Sequence, residues 1–192
     1  MSLAGDVPEA EGNAPALVPS LRDPAARTAE ALRAVVDTVK DPEVPVISVV
    51  ELGIVRDTRW EGETAVVTIT PTYSGCPAMR EIEADIRAAV EGAGAPAVRV
   101  EVVYAPAWTT DWMAPEGREK LRRYGIAPPA PAAAGRAGAS ALVTLTRRRE
   151  PVPCPWCGST NTRLQSEFGS TACKAIHVCQ GCRQPFDEFK PF

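Results

Sequence analysis

Two C-x-x-C pairs near the end of the chain, Cys154-Pro-Trp-Cys157 and Cys179-Gln-Gly-Cys182, carry the clearest chemistry. Each pair presents two thiols from one tight turn, and two such turns supply the four corners of a tetrahedron around a metal ion. The 21 residues between Cys157 and Cys179 suit a hairpin, with Thr162 to Phe168 as one arm and Ala175 to Val178 as the other. The spacing predicts a zinc ribbon with zinc as a structural cofactor. The same four thiolates can also hold a single iron as a redox centre. Four thiolates leave no open position for water or substrate, so catalysis at this metal is not expected. About forty residues build too little core to fold unaided, so the metal supplies much of the ribbon's stability.

Two further cysteines stand outside the tetrad. Gly75-Cys76-Pro77 places a thiol at the expected cap of a helix, where unpaired N–H groups and the positive end of the dipole favour the thiolate. That residue is either a soft-metal ligand or a buried structural cysteine. Cys173 lies inside the ribbon and reads as a packed thiol. If the hairpin brings it near Cys76, the pair becomes a transfer site. The one histidine, His177, reads as a ring on the hairpin surface, and its solitude excludes histidine-rich metal sites. Asp41-Pro-Glu43 reads as a helix-ending turn with satisfied acids, or as two carboxylates near one end of the sheet placed for acid–base catalysis.

The 192-residue chain carries 21 Lys and Arg against 24 Asp and Glu, a net charge of −3. A dedicated nucleic-acid binder shows a basic excess, so neither nucleic acid nor membrane is an expected partner. The run Arg147 to Arg149 reads as a solvated strand end. No apolar run approaches the roughly 20 residues of a membrane span, and the N-terminus lacks a basic n-region. Six cysteines in this pattern suit a reducing compartment. A cytoplasmic location is the expectation.

The elements that position these groups follow from periodicity. Residues 1–22, rich in Ala, Pro, Gly and acids, read as a disordered tail. A helix opens at Asp23-Pro24, presents Leu32, Val35, Val36 and Val39 on one face, and ends at Asp41-Pro42. The β-branched run Val46 to Val55 reads as extended chain with a turn near Leu52-Gly53. A hairpin turn at Glu61-Gly62 leads to a strand over Ala65 to Thr70, with Val67 and Ile69 on one face and Val66, Thr68 and Thr70 on the other. A second helix presents Met79, Ile82, Ile86, Ala89 and Val90, and Val98, Val100 and Val102 alternate in a third strand. The order α-β-β-α-β over residues 23–126 predicts an α+β domain, a small mixed sheet with helices on one face. Trp108, Trp112 and Tyr124 surround a short helix from Pro115, and either pack back on the sheet or form a partner surface. Residues 127–141 read as an Ala/Pro/Gly linker and 142–192 as the zinc ribbon, with a short strand at Leu142 to Leu145.

The stretch Asp41 to Val55, followed by Thr68-Ile-Thr70 and Gly75-Cys-Pro77, resembles the metal-sulfur cluster biosynthetic domain, a family of iron–sulfur assembly factors that includes SufT-like proteins. Pro106 to Trp112, Gly117 to Leu121, the C-P-W-C pair, Ser166 to Lys174 and Phe186 to Lys190 extend the likeness to the D-subunit family (PaaD, also called PaaJ) of the bacterial phenylacetyl-CoA epoxidase system. The resemblance covers roughly residues 23–192. It implies a non-catalytic component of a multicomponent ring epoxidase used in aerobic phenylacetate catabolism, with the oxygenase and reductase subunits as partners. It further implies transient iron or an iron–sulfur cluster as cargo, carried at Cys76, shaped by Asp41 and Glu43, with Cys173 as a further ligand and the ribbon as the docking module. Alternatives are a structural subunit of the complex and a nucleic-acid-binding ribbon. The residues agree with an accessory role: there is no four-helix bundle with Glu-x-x-His ligands, no dinucleotide fingerprint and no ferredoxin cysteine spacing.

Overall fold

A computed structural model describes residues 18–73, 75–130 and 151–191. The expected strand at Leu142 to Leu145, the basic run Arg147 to Arg149 and most of the expected linker lie outside the described residues.

Ordered packing begins earlier than the composition suggests. Leu21, expected in the disordered tail, is fully buried, and its N–H donates to the Ala93 carbonyl at 2.8 Å. The single helix expected from Asp23 to Asp41 is two pieces. Asp23 caps a 3-10 turn over Pro24–Ala26, and Thr28 then caps α1 (Ala29–Val36) by accepting from the Ala31 N–H. Two local caps in one stretch divide it, because each satisfies its own set of free N–H groups.

The run Val46 to Val55 is mostly turn rather than strand. Ser48 and Glu51 form a reciprocal capping box: the Glu51 carboxylate accepts from the Ser48 N–H at 2.9 Å, and the Ser48 hydroxyl accepts from the Glu51 N–H at 3.0 Å. That box closes a helical bend which carries Ile47, Val49, Leu52 and Ile54 into the core. The Ser-x-x-Glu spacing was present in the sequence and outranks the β-branched composition.

Strand β1 (Val55–Glu61) turns at Gly62 into the antiparallel β2 (Thr64–Ile69), and β3 (Ala97–Val102) joins β2 in parallel across α2 (Met79–Gly92). The sheet order is β1-β2-β3, and both helices pack on one face. Val66 is fully buried, although it lies on the face away from the helices. Its register neighbours are Arg59 and Arg99, and their guanidinium groups bridge Glu61 and Glu101 across the central strand. Long charged side chains with apolar stems thus cover the middle of an otherwise open sheet.

The aromatic segment packs back. Trp108 is buried and donates its indole N–H to the Leu52 carbonyl at 3.1 Å, while Trp112 stacks under the Arg56 guanidinium, 3.3 Å from the ring centroid. Tyr124, in α3 (Pro115–Tyr124), stays exposed. Gly125 ends α3 in the left-handed region and leads into β4 (Ile126–Ala127), which falls where the linker was expected to begin.

The ribbon has three described strands, β5 (Thr162–Ser166), β6 (Lys174–Cys179) and β7 (Pro185–Phe189), in the order β4-β7-β6-β5. Because β4 pairs in parallel with β7, the two modules share one sheet. Phe189 is buried against Trp108, ring centroids 6.2 Å apart, and Cys173 joins the same core.

Gly53 has φ +78°, and a Cβ there would lie 2.6 Å from the Trp112 carbonyl oxygen. Gly53→Ala is expected to destabilise the protein by about 1–3 kcal/mol through backbone strain and loss of the aromatic segment's seat, read by denaturant unfolding.

Candidate metal centre and carrier site

The ribbon tetrad assembles from two knuckles. In each, the residue after the second cysteine takes a positive φ, Gly158 at 73° and Arg183 at 66°, and the turn closes through Gly158 N–H to the Cys154 carbonyl and Arg183 N–H to the Cys179 carbonyl. The Sγ atoms of Cys154, Cys157, Cys179 and Cys182 all lie within 4.8 Å of one another. Cys154 and Cys182 are 3.7 Å apart, Cys157 and Cys179 3.6 Å. Four sulfurs about 2.3 Å from a central ion would lie about 3.8 Å apart, so the tetrad fits a tetrahedral ion. The N–H groups of Cys182 and Gly181 point at the Cys179 sulfur and, with Cys157, draw that thiol below its usual range. Among the described residues, no other group of three or more candidate ligands converges this closely.

A second, looser set of chemical groups meets where the ribbon docks. The turn after α1 supplies the acids. Asp41 is buried, and its Oδ1 accepts from the N–H groups of Glu43 and Val44, each at 2.8 Å. Burial raises its carboxyl above the ordinary aspartate range against the pull of those two bonds. The loop between β2 and α2 supplies Cys76 and Tyr73, whose hydroxyl donates to the Cys76 sulfur. The ribbon supplies Cys173 and Lys174. The Cys173 sulfur lies 3.0 Å from the Thr171 hydroxyl and 3.6 Å from Glu43 Oε2, and the buried Lys174 ammonium donates to the Glu43 carbonyl at 3.4 Å.

The electrostatics of this junction favour neutral thiols. Burial pushes Cys173 up to about 11, with the Glu43 and Asp41 charges acting in the same direction. Cys76 is also raised, first by burial and then by Glu43, against the N–H of Ala78. Tyr73 rises to about 12 by burial, with both thiols and Glu43 adding to the effect. The expected lowering of Cys76 by a helix terminus does not occur. Helix α2 starts at Met79 with Ala78 at its cap, so Cys76 lies before the cap, in a turn. Pro77 is not the first helical residue.

His177 is buried in the ribbon rather than on its surface. Its Nε2 lies 2.7 Å from Glu188 Oε2, and its ring stacks on Phe186. Tyr73, Thr171 and Lys174 join the junction with no sequence signal beyond their proximity along the chain to the two cysteines.

Comparisons with known proteins bear on both modules. The PaaD zinc beta ribbon domain family matches residues 138–190, and the iron-sulfur cluster assembly protein family matches residues 29–102. The chain is 48% identical over 157 residues to an Escherichia coli (strain K12) protein named for the D subunit of the 1,2-phenylacetyl-CoA epoxidase, covering 82% of this chain and 89% of that protein. It is 34% identical over 97 residues to an Fe-S protein maturation auxiliary factor of Porphyromonas gingivalis, 50% of this chain and 91% of that protein. Among solved structures, a domain of unknown function (DUF59) from Bacillus anthracis aligns with a TM-score of 0.45 at 30% identity, covering 48% of this chain and 90% of that one. Among the described residues, no helix is long and apolar enough to cross a membrane.

Chelation of the ribbon metal is expected to expose β5, β6 and β7 to hydrogen exchange while β1, β2 and β3 stay protected, read by mass spectrometry. A second expectation concerns pH. Because the folded-state pKa of Asp41 is raised, the folded state binds its proton more tightly than the unfolded chain does. That contribution to stability is present at low pH and is lost as pH rises through the raised value. Asp41→Asn, which keeps the acceptor oxygen, should lose less stability than the natural protein as pH rises from about 4 to about 7 in denaturant titrations.

Proposed function

Since this chain belongs to the family of phenylacetyl-CoA epoxidase D subunits, we propose that it is a non-catalytic maturation factor of that system, carrying iron or an iron–sulfur cluster to the oxygenase or reductase. The observation that carries this reading is the junction itself. Cys173 of the ribbon meets Glu43 of the iron–sulfur-assembly-type domain at 3.6 Å beside the buried Asp41 turn, and the partly buried Cys76 packs against the same core. Cys76 is the primary cargo ligand: it is only partly buried, and thiolates are the usual protein ligands of iron–sulfur clusters. Glu43 offers a carboxylate oxygen 3.6 Å from the Cys173 sulfur, and Asp41 shapes the turn that presents it.

In the ribbon, Cys154, Cys157, Cys179 and Cys182 hold zinc, which stabilises the fold and takes no part in redox chemistry. None of the six cysteines is in a disulfide, which suits a cytoplasmic protein. A second reading, a structural component that stays in the epoxidase complex, is favoured by the half-exposed Trp156 and the exposed Phe168, which offer apolar contact area on the ribbon.

In a bacterium lacking its own copy of this protein, the Cys76→Ala form should fold, retain one ribbon metal ion per chain, and fail to support growth on phenylacetate. The reductase or oxygenase isolated from those cells should be deficient in iron. Normal growth and normal iron content would refute the carrier reading and leave the structural reading in place.

A further inference from the structure

Among the described residues the two sheets end in the edge strands β1, β3, β4 and β5, and all but β3 are blunted. The ladder of β1 is irregular between Val55 and Asp57, that of β5 between Leu164 and Ser166, and β4 is only Ile126–Ala127. Bulges and short length keep an edge from pairing with a further strand. The β3 edge has neither protection. Its parallel register with β2 is unbroken from Ala97 opposite Thr64 to Val102 opposite Ile69, and no described strand lies on its other side.

The direction of the free backbone groups follows from alternation. The Val103 N–H donates to the Ile69 carbonyl at 2.8 Å, so the odd-numbered residues of this strand turn their backbone groups to β2. Val98, Val100 and Val102 turn theirs outward. In agreement, the Val98 carbonyl accepts from Arg87 Nη1, on an exposed side chain of α2, at 2.9 Å. Pro96 precedes them in the outward series and has no N–H, so a ladder on this edge stops at Val98. The three valine side chains are partly buried against the core on the helix side, whereas Arg99 and Glu101 join the ion pairs of the open face.

This outward row is complementary to itself. Turned end for end about Val100, it sets Val100 against Val100 of a second copy, Val98 against Val102, and Arg99 against Glu101. Each valine pair can exchange both of its N–H···O bonds. The arginine–glutamate pairs then fall at the non-hydrogen-bonded positions, where Cα atoms lie about 4.5 Å apart and side chains are closest. Opposite charges there are favourable and like charges are not. A register shifted by two residues sets Glu101 against Glu101 in one direction and Arg99 against Arg99 in the other. Charge thus selects one register from those that the backbone permits.

We propose that β3 is the interface of a two-fold homodimer, pairing antiparallel with β3 of a second copy so that the strand order β1-β2-β3 continues as β3-β2-β1. The valine row then lies between the two α2 helices, and the arginine–glutamate lattice runs unbroken over the other face. Because β2 and β3 are parallel, the β2–α2 loop that holds Cys76 lies at one end of the sheet, and the two-fold puts the two loops at opposite ends. Pairing therefore leaves both loops open to a partner. One strand pair is a small interface, so the dimer is weak and depends on concentration. The inference is independent of the carrier reading.

Sedimentation velocity of the full-length, zinc-loaded protein in reducing buffer, over a series of concentrations, tests it. The natural protein should pass from monomer to dimer in roughly the micromolar range. The Val98, Val100 and Val102 amides should gain protection from hydrogen exchange over the same range. Val100→Pro removes an outward N–H, leaves the β2 ladder intact and should weaken self-association at least about tenfold. Arg99→Glu and Glu101→Arg each set like charges across the two-fold and should each weaken it at least about tenfold. An equimolar mixture of these two variants should dimerise again, because each then meets the opposite charge at both positions. Damage to the fold of either variant would not be repaired by mixing. Should Val100→Pro fail to fold, the mixture decides. A natural protein that stays monomeric overturns the proposal, including one whose β3 amides are protected by another part of its own chain. A dimer indifferent to these substitutions, or a mixture that does not recover, overturns it equally.

Discussion

A ribbon of about forty residues buries too little apolar surface to balance the entropy of ordering it. Its stability has to come from outside its own hydrophobic contacts, and here it comes from two directions. At one end four thiols close on a metal-sized space, with sulfurs 3.6 and 3.7 Å apart across the knuckles. At the other end the ribbon borrows the core of the first module, where Phe189 and Cys173 join the cluster built by α1, α2 and the bend after α1. The β4–β7 ladder ties the two supports together, so neither module ends where its own residues do.

That shared core explains why polar and ionisable groups are found buried at the junction. Asp41, Cys173 and Lys174 are each more than nine-tenths buried, and each has partners. Buried polar groups persist only where hydrogen bonds offset their lost hydration. The Asp41 bonds are short and local; those reaching across the modules are longer. The polar contacts that reach across the modules therefore add to an apolar union already made by Phe189 on Trp108 and by the β4–β7 pairing.

The open face of the first sheet is handled differently. There the Arg59, Arg99, Glu61 and Glu101 side chains lie across Val66 and are themselves partly in water. Exposed ion pairs contribute little to stability, and their apolar stems do the covering. The sheet is thereby finished on both faces without a third layer, and the junction remains the one place where burial, thiols and acids coincide among the described residues.

Much of this was legible from residue order alone. The two C-x-x-C pairs dictated the tetrad, because ligand spacing within a tight turn is a local property. The 3.6-residue period of Met79, Ile82, Ile86 and Val90, and the alternation of β3, identified elements whose buried faces are set by their own geometry. The Ser48–Glu51 box was also readable, but β-branched composition obscured it. Other features had no local signal. Whether Cys76 capped a helix depended on where α2 began, and burial together with neighbouring acids, rather than a helix terminus, sets the character of its thiol. His177 gained a buried carboxylate partner from a strand eleven residues away. The approach of Cys173 to Glu43 spans 130 residues of sequence. Local patterns specify turns, periods and ligand pairs; only the docking of one module on the other, a matter of shape and of long-range strand pairing, decides which distant side chains share a site.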